Sequence, residues 1–478
     1  MPNQKQKSKK VIPIISDTST VKSVSLYEAH QKIYPRNISG FYKNWRWAMI
    51  WMTQIVFYGV PWLQWGERQA VLLDISTHRF YIFGLVLYPQ DLIYLVIILI
   101  IAALALFLFT AVAGRLWCGF TCPQSVYTEI FLWIERKIEG DRAARMRLDN
   151  MKFGLKKFYK KWLKHLAWIS FSMWTGFTFL GYFTPIRDLI HNISLLNLSP
   201  WETFWICFYG FATYGNAGFL REQICKHMCP YARFQSAMFD NDTLIVTYDE
   251  ERGEPRSGRS RKVDAKQSGL GDCIDCSFCV QVCPTGIDIR NGLQYECISC
   301  GLCVDACNSI MDKMEYPRGL IRFSTQNALT QHWTQHQVIR KILRPRVLIY
   351  SGLLLFMSAG LVYSLATQVA FKVDVIRDRG VMSRLIAGGK VENVYRLQIT
   401  NATEKQETYR ISIEGIKGLS IASDKEFTVN PAESRMVAVS LQIEDGSIKS
   451  GSHPIEFEIE AASTKAEISE KSIFYMSR

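Results

Sequence analysis

Eight cysteines between Cys273 and Cys307 constrain this chain more than any other feature. The first four, Cys273, Cys276, Cys279 and Cys283, have the spacing C-x2-C-x2-C-x3-C and are followed by Pro284. Cys297, Cys300, Cys303 and Cys307 repeat that spacing, with Asn308 in place of the proline. A cubane cluster needs four thiolates at its corners. A short loop with two-residue gaps wraps three of them, and the fourth arrives from the other half of the pseudo-repeat. The pattern predicts two 4Fe–4S clusters in a ferredoxin-like fold. Cys273, Cys276, Cys279 and Cys307 hold one, and Cys283, Cys297, Cys300 and Cys303 hold the other. Two structural zinc sites are the competing reading, but zinc is usually held by two separated pairs. Asn308 is expected to alter local loop geometry without loss of a ligand.

Around this insert, long apolar runs alternate with basic stretches, as in a polytopic membrane protein. Five spans are read, at 45–65, 91–113, 165–185, 201–220 and 347–371, each about 20 residues long. The third and fourth carry several small polar residues and also fit buried helices of a bundle. Residues 1–46, 114–164 and 221–346 hold nine, twelve and seventeen Lys/Arg, whereas 66–90 and 185–200 hold only Arg68, Arg79 and Arg187. Lys/Arg excess marks the cytoplasmic side. The count predicts a multi-pass membrane protein with a basic cytoplasmic segment at 1–44 and a membrane domain at 45–220. The cluster domain, 221–346, is then cytoplasmic, the fifth span is 347–371, and 372–478 is periplasmic. The net charge of +13 lies beside apolar runs, which argues for a lipid partner and against nucleic acid. No cleavable signal peptide is evident before the first apolar run.

Residues 372–478 are near neutral, with fifteen basic and sixteen acidic residues. Tyr395, Leu397 and Ile399 alternate with polar residues, as do Ile455, Phe457 and Ile459. About seven such runs predict an all-β immunoglobulin-like sandwich. Residues 250–271 read as a flexible approach to the cluster insert. The fold class is therefore a multi-domain chain: a polytopic α-helical membrane domain, a two-cluster insert and a C-terminal β domain.

Four further cysteines form two C-x3-C-P motifs, Cys118/Cys122/Pro123 and Cys225/Cys229/Pro230. They follow the second and fourth spans, which suggests an internal repeat. If helical, each pair presents two thiols one turn apart, and the proline marks a helix start or break. Thiolates favour Cu(I), and His227 and Met228 add two copper-compatible donors to the second motif. The competing reading is packing, since a buried cysteine is a small hydrophobe. Cys207, alone in the fourth span, is read as packing. There is no facing histidine pair for a transmembrane haem and no Gly-rich dinucleotide motif after a strand.

The order of parts, from Trp-Cys118-Gly-Phe-Thr-Cys122-Pro through the stretch Cys283-Pro-Thr-Gly-Ile-Asp-Ile-Arg to the last β domain, resembles the FixG/CcoG-type cytochrome c oxidase accessory proteins. That resemblance implies a membrane-bound cupric reductase serving assembly of a cbb-type haem–copper oxidase, with copper as substrate or bound ion. Its implied partners are oxidase assembly components or a copper chaperone, an electron donor on the cytoplasmic side, and a second copy in a homo-oligomer. The site would be Cys118, Cys122, Cys225 and Cys229. Two other readings stay open. One is a quinol-linked membrane ferredoxin feeding a partner reductase, which needs a quinone pocket that the sequence does not identify. The other is a non-catalytic assembly scaffold.

Overall fold

Long helices form at all five apolar runs: α1 Phe41–Gly59, α2 Leu92–Ala113, α3 Leu155–Leu180, α4 Pro200–Gly215 and α5 Pro345–Ala366. The computed structural model describes residues 12–13, 23–24, 32–261, 269–367, 371–378, 383–403 and 405–476. Most of the basic segment read over 1–44 lies outside the described residues. Among those described, α2 and α5 are long and apolar enough to cross a membrane, with mean hydropathy 3.3 and 1.8. Only 6% of each apolar stretch is buried, which separates both from the core helices of a soluble protein. The other three fall short of that test. α4 has 16 residues, and α1 and α3 carry cations within their first turns. α4 nevertheless turns Trp201, Phe204, Phe208 and Phe211 outward, and Cys207 on the same helix is exposed rather than packed.

Several boundaries differ from the expected ones, each for a local reason. α1 stops at Gly59, because Pro61 opens a tight turn and cannot continue the helical ladder. α3 begins ten residues before 165 and carries five lysines along its first three turns. α5 ends at Ala366, and Phe371 is already the first residue of a strand, buried in the sandwich core.

α2 and α5 pack side by side in opposite directions. Tyr94 and Ser364 hydroxyls meet at 3.1 Å near one end, and the Arg344 guanidinium donates to the Ala111 carbonyl at the other. One end of this pair meets the β domain. The small antiparallel sheet Val71–Asp74, Arg79–Ile82 and Leu85–Leu87 leads to Tyr88, whose hydroxyl donates to the Asn401 carbonyl at 3.1 Å. Val86, Tyr88 and Ala432 share a small core, and Lys372 pairs with Asp91.

The β domain has nine strands among the described residues: β1 Phe371–Arg377, β2 Arg384–Ile386, β3 Lys390–Asn401, β4 Glu407–Glu414, β5 Ser420–Ile421, β6 Glu426–Val429, β7 Ser434–Glu444, β8 Gly451–Ala461 and β9 Glu467–Met476. One sheet runs β1-β3-β7-β5 with β2 beside β3, and the other runs β6-β4-β8-β9. All pairings are antiparallel. The alternating residues Tyr395, Leu397 and Ile399 face Phe457 and Ile459 in one core, as a two-layer sandwich requires.

At the opposite end of α2 and α5 sits the cysteine-rich insert. Strand Ile245–Tyr248 pairs with Ile321–Ser324 behind it. Helix Leu302–Met314 carries Cys303 and Cys307 and runs on past Asn308. A proline there would break the ladder. Asn308 instead accepts from the Gly319 amide at 3.0 Å. The helix also caps α1, because the Asp305 carboxylate accepts from the backbone amides of Tyr42 at 3.2 Å and Lys43 at 2.8 Å. The described part of 250–271 is not loose. Arg252 bonds Asp272 at 2.6 Å and the Arg318 carbonyl at 3.1 Å, and Arg259 bonds the Gly271 carbonyl at 2.6 Å. Residues 262–268 lie outside the described residues.

Candidate metal and redox centre

The eight ligand-spaced cysteines line two neighbouring cavities of about 360 Å³ each. Cys273, Cys276, Cys279 and Cys307 line one, and Cys283, Cys297, Cys300 and Cys303 line the other, with Cys279 at the wall between them. Asp275, Ser277 and Ser299 take left-handed backbone conformations in the wrapping loops. Burial pushes Cys279, Cys297 and Cys307 up to about 12. Thiols so buried stay protonated unless cations compensate, so the chemistry of the donor set fits iron held by deprotonated sulfur.

The two C-x3-C-P motifs close alike. The Cys122 amide bonds the Trp117 carbonyl at 2.9 Å, and the Cys229 amide bonds the Ile224 carbonyl at 2.8 Å. Each bond spans five residues, so each motif ends in a wide turn. The first is a short α-helix, Leu116–Phe120, up to that point, whereas the second is wide throughout, over Ile224–Met228. Proline then opens the next helix, Pro123–Glu139 or Pro230–Met238, with Cys122 or Cys229 at its N-cap. The turns bring the four cysteines within electrostatic range of one another. Cys118 feels Cys122, Cys225 and Cys229 as neighbouring charges, and Cys225 feels Cys122 and Cys229. Burial pushes Cys118 up to about 12 and Cys225 up to about 11. His227 and Met228 lie on the outer side of their turn and are exposed, Met228 at 62%.

This group adjoins the cluster cavities. A Cβ on Gly119 would lie 2.6 Å from the Ile298 carbonyl oxygen and 2.9 Å from Cys300 Cα. Only glycine allows that approach. Cys118 itself packs against the core containing Cys300 and Leu302. Two supporting residues escaped the sequence reading. Arg115 is 1% exposed and donates to the carbonyls of Tyr295, Cys297 and Ala232, so one cation ties the cluster loop to the helix after Cys229. It lies where its charge lowers the pKa of Cys118, Cys225 and Cys297. Gln235, fully buried, accepts from the Cys118 thiol at 3.3 Å and donates to Thr110 at 3.1 Å. Arg115 lies three residues before Cys118, but a lone buried Gln on a later helix gives no sequence signal.

Below this centre, the helix Pro123–Glu139 buries three carboxylates among cations. Glu129 faces Lys43 at 2.5 Å, Arg136 at 3.2 Å and Arg46 at 3.5 Å. Glu135 meets Arg221 at 3.2 Å and Arg145 at 3.3 Å.

The sequence matches a 4Fe–4S dicluster domain over residues 220–326 and a 4Fe–4S binding domain over 95–140. Residues 361–477 match the IG-like fold at the C-terminus of FixG. The chain is 36% identical to the nitrogen fixation protein FixG of Rhizobium meliloti over 82% of its own length and 80% of that protein's. The chain belongs to the FixG family. It is also 38% identical to protein RdxA of Cereibacter sphaeroides, covering 83% of this chain and 85% of RdxA. A crystal structure of a FixG-related protein from Vibrio parahaemolyticus is 25% identical and aligns along its whole length with 23% of this chain, at a TM-score of 0.22. This FixG-family protein is therefore a membrane-associated iron–sulfur protein of the electron-transfer class.

Proposed function

We propose that the protein reduces Cu(II) to Cu(I) at the paired thiols and supplies the product to assembly of a cbb-type cytochrome c oxidase. The carrying observation is that Cys118, Cys122, Cys225 and Cys229 lie within electrostatic range of one another, with the first pair abutting the Cys300 loop through Gly119. Bound 4Fe–4S clusters supply single electrons. The chain's own residues prepare the acceptor side. Cys122 and Cys229 sit at helix N-termini. Burial raises the Cys122 pKa, and the backbone amides of Gln124 and Ser125 work against that rise. Arg115 adds a buried positive charge, and Gln235 fixes the Cys118 rotamer. Thiolate ligands hold Cu(I) better than Cu(II), so one electron converts a bound Cu(II) to the form the site prefers. Anaerobic Cu(II) reduction by the full chain tests this. Replacing Cys118, Cys122, Cys225 and Cys229 by Ser together is expected to abolish it while the cluster absorbance persists. An unchanged rate in that variant removes copper from these residues.

A second reading has its own support: the 4Fe–4S binding-domain match over 95–140 contains Cys118 and Cys122. On that reading the four thiols hold a third cluster. Iron analysis separates the two, with about eight iron per chain for two clusters and about twelve for three.

The proposed topology keeps the clusters cytoplasmic and 372–478 periplasmic, with five helices across the inner membrane. The positive-inside count supports it. So does the segregation of contacts, since the β domain packs on residues 86–91 and the insert on 110–119. Oxidase assembly components, a copper chaperone and a second copy of the chain remain the proposed partners.

A further inference from the structure

A cavity of about 680 Å³ opens between α3 and the turn after α4. Rings form its wall. His165 stacks on Phe219 with centroids 6.1 Å apart and planes at 14°, and Trp168 stands edge-on to Phe219 at 6.3 Å. His165 Nδ1 lies 3.0 Å from the Tyr214 hydroxyl, which leaves Nε2 for a ligand. Three cations also line the cavity, yet each is ion-paired: Lys32 with Asp149 at 2.8 Å, Lys164 with Glu139 at 3.1 Å and Arg221 with Glu135 at 3.2 Å. Glu135 and Glu222 bring two carboxylates to the same space. A phosphate or lipid headgroup would meet cations whose charge is already compensated. A flat, neutral ring with opposed hydroxyl groups meets aromatic faces and hydrogen-bonding groups instead.

The surroundings narrow the ligand further. Phe219 is 55% exposed at the rim, and Leu166 and Ile169 are exposed on the same helix as His165, so an apolar tail has a surface to follow. Two of the lining residues, Arg221 and Glu222, connect the cavity to the segments that carry the paired cysteines. Glu222 acts electrostatically on Cys225, and the Gln124 side chain, two residues after Cys122, donates to the Arg221 carbonyl at 3.1 Å.

We propose that this cavity binds an isoprenoid quinol, the electron donor for the reduction proposed above; the inference deepens that reading by naming the donor class. Oxidation breaks the two O–H bonds of the quinol and yields quinone, two protons and two electrons. His165 Nε2 takes one proton, and the other passes to water at the open mouth of the cavity. One-electron acceptors take the electrons, two Cu(II) becoming two Cu(I) in that reading.

The test uses the full chain in detergent, anaerobically, with an azido-quinone photolabel and no copper. Label is expected on the peptide containing His165 and Trp168 or on Phe219, displaced by unlabelled quinone and not by cardiolipin. Phe219→Ser is expected to weaken labelling. With copper added, His165→Gln is expected to slow quinol-driven Cu(I) formation on the order of a hundredfold. The visible cluster absorbance should be unchanged in the same variant, which shows that it is folded. Labelling elsewhere, displacement by cardiolipin alone, or an unchanged quinol-driven rate in both variants overturns the site. Displaceable labelling in the cavity without any Cu(I) formation upholds the site and overturns the copper reading alone.

Discussion

Glu129 shows how single residues set the terms for the inner face. Its carboxylate is wholly enclosed, and burial alone would raise its pKa. Arg46, Lys43 and Arg136 outweigh that and hold it at about 2. Below the ordinary value of 4.5 the unfolded chain therefore binds a proton that the folded chain refuses. The resulting stability is fully present above about pH 4.5 and is lost as pH falls through about 2, a contribution on the order of 3 kcal/mol. Glu129→Gln should lower the unfolding temperature at neutral pH, because three buried cations lose their counter-charge. The gap between variant and parent should close as pH is lowered toward 2; a gap that stays constant with pH contradicts the charge argument. None of this is readable from sequence, where Glu129 is one acid in a basic stretch. Gly119 is a similar case. It appears as filler inside a cysteine motif, and only the approach to Cys300 shows why a side chain is excluded.

Among the elements, the join between α1 and the helix Leu302–Met314 is decisive. The first turn of α1 has no side-chain cap of its own, and Gly40 at its N-cap admits Asp305 from the cluster helix. A charged cap of this kind stabilises by about 1–2 kcal/mol. Asp305→Ala should lower the midpoint of thermal unfolding and release the insert to protease more readily, with Asp305→Asn in between. If the two variants behave alike, the charge plays no part. The cysteine ladder was legible because metal ligation fixes residue type and spacing together. The alternating strands of the β domain were legible for the same reason, period two being imposed by the pleat. Helix ends were less so. α1 begins at Phe41 because of a residue more than 260 positions away, and no local signal carries that. The wide turn at Ile224–Met228 was also missed, since i and i+4 spacing alone suits an α-helix, which is what the Cys118 motif forms over Leu116–Phe120.

At the scale of the whole molecule, contacts divide into two groups at the ends of α2 and α5. Tyr88 and Asp91 belong with the β domain, while Ala111 and Gly114 belong with the insert. A periplasmic reporter fused after Arg478 is expected to be active and a cytoplasmic one silent; the reverse pattern would mean that an odd number of spans is wrong. The two helices are the same length, 22 residues each. At 1.5 Å per residue they act as a ruler of about 33 Å between the strap at Tyr88 and the thiols. Electrons do not cross such a gap without relay centres, and the cysteines other than Cys207 all lie at or beyond one end of it. Among the described residues, the β domain is joined to the redox end mechanically, through α2, α5 and the Arg344 clasp on Ala111, four residues before the buried cation at Arg115.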